Sequence, residues 1–227
     1  MKYSRKIKCL VLILCISSGY ANDSLVMTRL LNRINQLQSK ESGVFPKGIF
    51  PSYRLYALNK NREKADINIF FTGLISLTLQ DIKPQLSGLQ QKLADQIISY
   101  SLPVYAKFQN QKGRSTYNFW PTDTPKIFPN AGWMNTFDKT QALPDDLDDT
   151  VIMLLAMNAP DSIAKQVHAL MQQFTNKGEK PVRNTFKDFR SIGAYSTWFG
   201  KKMPVDFDVC VLANVLYFVQ RYNLTWT

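Results

Sequence analysis

The sequence predicts an all-α fold of about three helical hairpins, with an inner and an outer layer of helices. Three observations predict it. Six segments of helical length follow one another and alternate between amphipathic and wholly apolar. An acidic or amide pair, two residues apart, lies at the start of each wholly apolar segment. One cysteine is left once an export segment is removed, so packing rather than a disulfide has to hold the fold.

The chain opens on Lys2, Arg5, Lys6 and Lys8, with no acid before Asp23. An apolar run over 9–16 follows, then Gly19-Tyr20-Ala21. Basic, then apolar, then small is the order of a secretory signal. The run is shorter than the roughly 20 apolar residues that a bilayer needs. Bulky Leu14 before Cys15 argues against a lipoprotein signal. Residues 1–21 are therefore expected to be a cleaved signal and 22–227 a single periplasmic or secreted domain. The 206 residues that remain are enough for one sizeable core.

The chain has a formal charge of +11. Four of its 28 basic residues and none of its 17 acids lie in 1–21, which leaves +7. The Lys and Arg are scattered, so nucleic acid is not an expected partner. A basic exported protein is suited to a polysaccharide or another anionic envelope polymer. No later stretch is long and uncharged enough for a stable membrane span.

The outer segments each carry one apolar stripe at helical spacing. Segment 24–38 presents Met27, Leu30, Leu31, Ile34 and Leu37; 85–101 presents Leu86, Leu89, Leu93 and Ile97; 162–174 presents Ile163, Val167, Leu170, Met171 and Phe174. The inner segments, 67–79, 150–157 and 207–219, lack a polar face and belong inside a core. A plain bundle would make every helix amphipathic. The last inner segment has no outer segment after it. Either 24–38 closes against it, or the ring is completed by chain or subunit beyond this sequence.

The pairs are Asp66/Asn68, Asp146/Asp148 and Asp206/Asp208. Upstream of each lies an aromatic segment: Tyr53-Arg54-Leu55-Tyr56, Tyr117-Asn118-Phe119-Trp120 and Tyr195-Ser196-Thr197-Trp198-Phe199. Helix capping is the expected role of Asp66 and Asp206. The 121–144 linker, rich in Pro, Asn and Thr, reads as a long loop of the kind that often carries function.

Asp145-Asp146-Leu147-Asp148-Asp149-Thr150 holds more carboxylates than a cap requires. Crowding and partial burial raise the pKa of such a group. A protonated carboxyl then serves as a general acid beside an ionised neighbour. Capping and catalysis both remain open for this cluster.

Asp146-Leu147-Asp148-Asp149-Thr150 resembles the D-x-D-D-T motif of class II terpenoid cyclases, in the terpenoid cyclase and protein prenyltransferase-like superfamily of α/α toroids. The resemblance implies concentric helical hairpins over about 24–221. It also implies that Asp148 is the acid, with Asp146 and Asp149 tuning it. Aromatic side chains would stabilise cations. Exported glycosidases and polysaccharide lyases resemble the same toroid, and their rings stack on sugars. The candidate substrate contacts are Tyr117, Trp120, Trp133, Tyr195 and Trp198, with Asp206 and Asp208 as carboxylate partners of Asp148.

His168 is the only histidine and is expected at the surface or boundary of an outer helix, which argues against Ser-His-Asp and Cys-His chemistry. Cys210 sits in an apolar run and is expected to be a buried, inert thiol. Zinc ligands, a phosphate loop and an EF-hand spacing are missing from the sequence, so no cofactor or metal is expected. Three functions follow as expectations: a carboxylate enzyme acting on a glycan, a non-catalytic envelope-binding or structural protein, and a cyclase-like general-acid enzyme.

Overall fold

The computed structural model of the chain describes residues 23–56, 59–123, 143–176, 182, 184–200 and 205–225. The expected signal, Trp133 and most of the 121–144 loop lie outside the described residues. The structure is mostly helical, as the periodicity predicts. Helix α1 covers 23–37. It is followed by α2 (Phe70–Ile82), α3 (Gly88–Tyr105), α4 (Leu147–Ala156), α5 (Asp161–Met171) and α6 (Val209–Arg221). All six fall on the expected segments. Helix α3 runs one turn further than expected, through Pro103.

A hairpin that the sequence reading did not foresee stands between α1 and α2. Strand β1 (Tyr53–Tyr56) pairs antiparallel with β2 (Asn59–Ala65), with Arg54 opposite Lys64 and Leu55 opposite Glu63. The strand pair is closed at its base by the Asp66 N–H donating to the Ser52 carbonyl at 2.9 Å. The first aromatic segment is thus a strand, with Tyr53 and Leu55 exposed.

The core has two parts. Helix α4 lies between α2 and α6, and from Asp149 to Ala156 every one of its residues is buried. Val211, Val215 and Phe218 of α6 and Ala164, Val167 and Met171 of α5 belong to the same cluster. The second part joins α1 to α2 and α3 through Leu31, Leu79, Ala94 and Ile97. Gln38 ties α1 to α3: its buried amide donates to Ile97 O at 3.0 Å and Ser101 Oγ at 2.8 Å.

Of the three expected inner helices, only α4 is sealed. The buried residues of α2 are Thr72, Gly73, Ser76 and Leu79, while Phe71 and Leu74 face outward. Gly73 explains this inversion, because a Cβ there would run into Met153 and Ile152 of α4. Small side chains let the two helices approach closely, and the large ones are left outside. Helix α6 buries one stripe and exposes Val209 and Leu216. Of the two alternatives for the last inner helix, closure by α1 is not what the structure shows: α1 packs on α2 and α3.

Cys210 is exposed, contrary to the expectation of burial. It lies in the first turn of α6. In a chain that begins at residue 22, where it is the one cysteine, Ellman's reagent should label it in the native state within a few-fold of its rate in urea; protection by a factor of ~100 would show that something covers it. No helix among the described residues is long and apolar enough to cross a membrane.

Candidate carboxylate site

Main-chain hydrogen bonds join the aromatic segments to the starts of α2, α4 and α6. The Phe119 carbonyl accepts from the Ile69 N–H at 3.3 Å, and the Tyr117 carbonyl from the Asp146 N–H at 3.1 Å. The Thr197 carbonyl accepts from Leu147 at 2.8 Å, and the Asp206 carbonyl from Thr197 at 3.2 Å. Tyr117, Asp146 and Trp198 form successive antiparallel bridges. The repeat of aromatic segment and acidic pair therefore builds one rim, along which the three helix starts lie.

Asp146 is the N-cap of α4, its Oδ1 accepting the Asp149 N–H at 2.8 Å. Both carboxyls are buried, and the Asp149 Oδ1 meets no donor. A proton on Asp149, donated to Asp146, accounts for that orphaned oxygen. Burial, and then the charge of Asp146, hold the Asp149 carboxyl well above its ordinary range. Burial likewise pushes Asp146 up to about 6, against the hydrogen bonds from Asp149. The two form a proton-sharing pair closed off from solvent.

Asp145 is also buried, and its Oδ2 accepts from Asn110 Nδ2 at 2.6 Å and Thr116 Oγ1 at 2.5 Å. Asp148 is only half-buried. Its Oδ1 accepts from Asn214 Nδ2 of α6 at 2.8 Å. Burial raises its pKa, the Asn214 amide opposes this, and the charge of Asp208 adds to it. Of the three residues expected to be catalytic, Asp148 is the one with access to solvent.

Asp66 does not cap a helix, contrary to expectation. Helix α2 begins at Phe70, with Ile69 rather than Asp66 at its N-cap. The Asp66 Oδ1 pairs instead with Arg54 at 2.8 Å and accepts from Trp120 Nε1 at 3.0 Å. The cap of α6 is Asp208, through the N–H groups of Cys210 and Val211. Asp206, half-buried, contributes its backbone carbonyl to the rim.

The candidate rings divide in the same way. Tyr117 and Trp120 are buried, the first with its hydroxyl toward Met157 Sδ. Tyr195 and Trp198 are half-buried on the segment between α5 and α6. His168, expected at the surface or boundary of its helix, is buried with Nε2 2.8 Å from the Tyr195 hydroxyl, and burial lowers its pKa.

Two features escaped the sequence reading. Asn214 is an amide in the middle of an apolar helix, and that placement was a usable signal. The second is a cavity of about 310 Å³ beside Asp145, lined by Asn110, Lys112, Arg114, Asn118 and Phe199 among others. Its signal was the turn at Asn110–Gly113, directly before the second aromatic segment. Comparison with protein-family models, curated proteins and solved structures finds no match to this chain.

Proposed function

We propose that this chain is an exported enzyme that cleaves a glycan by carboxylate chemistry, with Asp148 as its proton donor. The position of Asp148 carries the reading. It is a half-buried carboxyl with a raised pKa, oriented by Asn214 between the starts of α4 and α6, beside an exposed Asp208. Asp208 caps α6 with Oδ1 alone. In the proposed step Asp148 protonates the glycosidic oxygen and the bond from the anomeric carbon to that oxygen breaks. Water then adds to the carbon while Asp208 takes up its proton. Tyr195 and Trp198, on the rim between the two helices, are the candidate sugar contacts.

A panel of exported polysaccharides, scored for new reducing ends, tests this. Asp148→Asn should lower turnover by ~10²–10⁴-fold, the usual contribution of a general acid. Its melting temperature should stay within a few degrees of the parent's, since the side chain is half-exposed. Activity surviving within tenfold would remove Asp148 from the reaction. A cyclase-like reaction would use the same acid, but it draws less support, because the Trp120 ring is buried and its face is already covered by the Arg54 guanidinium.

A second reading, a non-catalytic binding or envelope-structural protein, is favoured by one observation. Asp145, Asp146 and Asp149 all have structural roles, so most of the cluster serves the fold. Salt-sensitive retention on an anionic glycan without turnover would support it, and no retention at low salt would count against it.

A further inference from the structure

We propose that the cavity beside Asp145 binds a uronate unit of an acidic polysaccharide, at a site separate from Asp148. Its volume of about 310 Å³ lies at the small end of the ~300–1,000 Å³ that small-molecule sites occupy. That suits one sugar ring and part of the next.

The site is built from two directions. Its inner wall is buried: Asp145, Asn118 and Phe199 line it, and Asp145 is fixed by Asn110 and Thr116. Its outer wall is the turn that carries Lys112 and Arg114. This turn is held by the Gly113 N–H donating to the Asn110 carbonyl at 3.1 Å and the Lys112 N–H donating to Asn110 Oδ1 at 2.9 Å. Gly113 has a φ of 82°, a backbone that glycine adopts without strain. The same asparagine thus holds both the acid and the basic turn, so the two walls are positioned relative to each other.

The charges select the ligand. Lys112 and Arg114 make no ion pair among the described residues, where the pairs are Arg54–Asp66 and Lys83–Asp95. Two cations therefore face one carboxylate that is already hydrogen-bonded. The surplus is positive and attracts an anionic group, and a planar carboxylate suits the arginine fork. Asp145 Oδ1 and the second hydrogen of the Asn118 amide, whose other bonds go to the Leu143 carbonyl and the Trp120 N–H, offer partners for ring hydroxyls, and Phe199 supplies the apolar surface that a sugar face covers. A simple anion would leave those groups unused.

Calorimetry on the full mature protein tests the proposal with three probes: trigalacturonate, neutral galactotriose and inorganic phosphate. Trigalacturonate should bind, more weakly as salt rises, and the other two should bind at least tenfold more weakly. The double variant Lys112→Gln/Arg114→Gln changes exposed side chains only and should lose at least tenfold in affinity for trigalacturonate. Asp148→Asn should bind it as the parent does, whether or not it turns over any glycan. Equal affinity for galactotriose, phosphate binding as tight as trigalacturonate, or an unchanged double variant would each overturn the assignment.

Discussion

Folding stability should fall as the pH rises from about 4 to about 8, and Asp149→Asn should flatten the fall. In the unfolded chain both Asp146 and Asp149 ionise near the ordinary value of 3.8. In the folded chain Asp146 keeps its proton up to about 6, and Asp149 keeps its own well above the ordinary value. Within that window the native state binds protons that the unfolded state has released. The contribution is complete below the unfolded pKa and is lost as pH climbs through the folded values. Each retained proton gives a slope of ~1.4 kcal/mol per pH unit. His168 acts in the opposite sense below its ordinary 6.5, since burial lowers its pKa. The variant separates the two effects. An asparagine at 149 has nearly the same shape and donates an N–H to Asp146 without titrating. At pH 8 it should exceed the parent in stability by ~1 kcal/mol or more, and at pH 4 it should not. Urea unfolding at pH 4, 6 and 8 measures both chains. A parent curve that is flat or rises from 4 to 8 would rule out the shared proton.

Gly48→Ala should be strongly destabilising. Gly48 has a φ of 93°, and a Cβ there would meet the Tyr100 carbonyl in the backbone of α3. Neither partner is a flexible side chain, so α3 or the turn has to move. The turn is also tied down, with the Gly48 N–H on the Ser39 carbonyl at 2.8 Å and its own carbonyl accepting from Gln38 Nε2 at 3.1 Å. Left-handed backbone costs a residue with a Cβ about 1 kcal/mol, and overpacking adds about 1–3 kcal/mol. For a domain of this size, a total of about 3 kcal/mol lowers the melting temperature by roughly 6–12 °C. Gly113→Ala is the internal control: its φ is 82°, but its Cβ would meet nothing within 4 Å. It should lose only the conformational part. Equal losses at the two positions would show that the Tyr100 contact is unimportant.

The helices were legible because their signals are local. Thr150 onward carries no charged residue until Asp161, and α4 duly lies in the core. What hydropathy cannot give is the direction in which an apolar side chain points. Phe71 and Leu74 counted toward an inner helix, yet α2 packs through Thr72, Gly73 and Ser76, because closeness to Met153 excludes bulk. The β-hairpin was missed because Asn59-Lys-Asn-Arg-Glu-Lys-Ala65 has no apolar alternation. It is held instead by its base and by Arg54 reaching Asp66 and the Trp120 ring. Capping was misassigned in two of the three pairs: α6 takes Asp208 rather than Asp206, and α2 takes neither acid nor amide. The acidic cluster was legible as unusual, but its division of labour was not. Burial, which depends on the rest of the chain, separates the sealed pair Asp146 and Asp149 from the half-buried Asp148.

The central position of α4 has a consequence for how the chain acquires its shape. One of its neighbours comes from residues 70–82 and the other from 209–221, so its two flanks are supplied by segments lying far away on opposite sides in sequence. Until the later segment arrives, Val151, Leu154 and Leu155 have no complete cover, and no local turn can provide one. Closing such distant contacts has to overcome chain entropy before any packing is gained. Assembly is therefore a late event that needs nearly the whole polypeptide, and a shortened chain ending before residue 209 would present a greasy rod to its surroundings instead of a native domain.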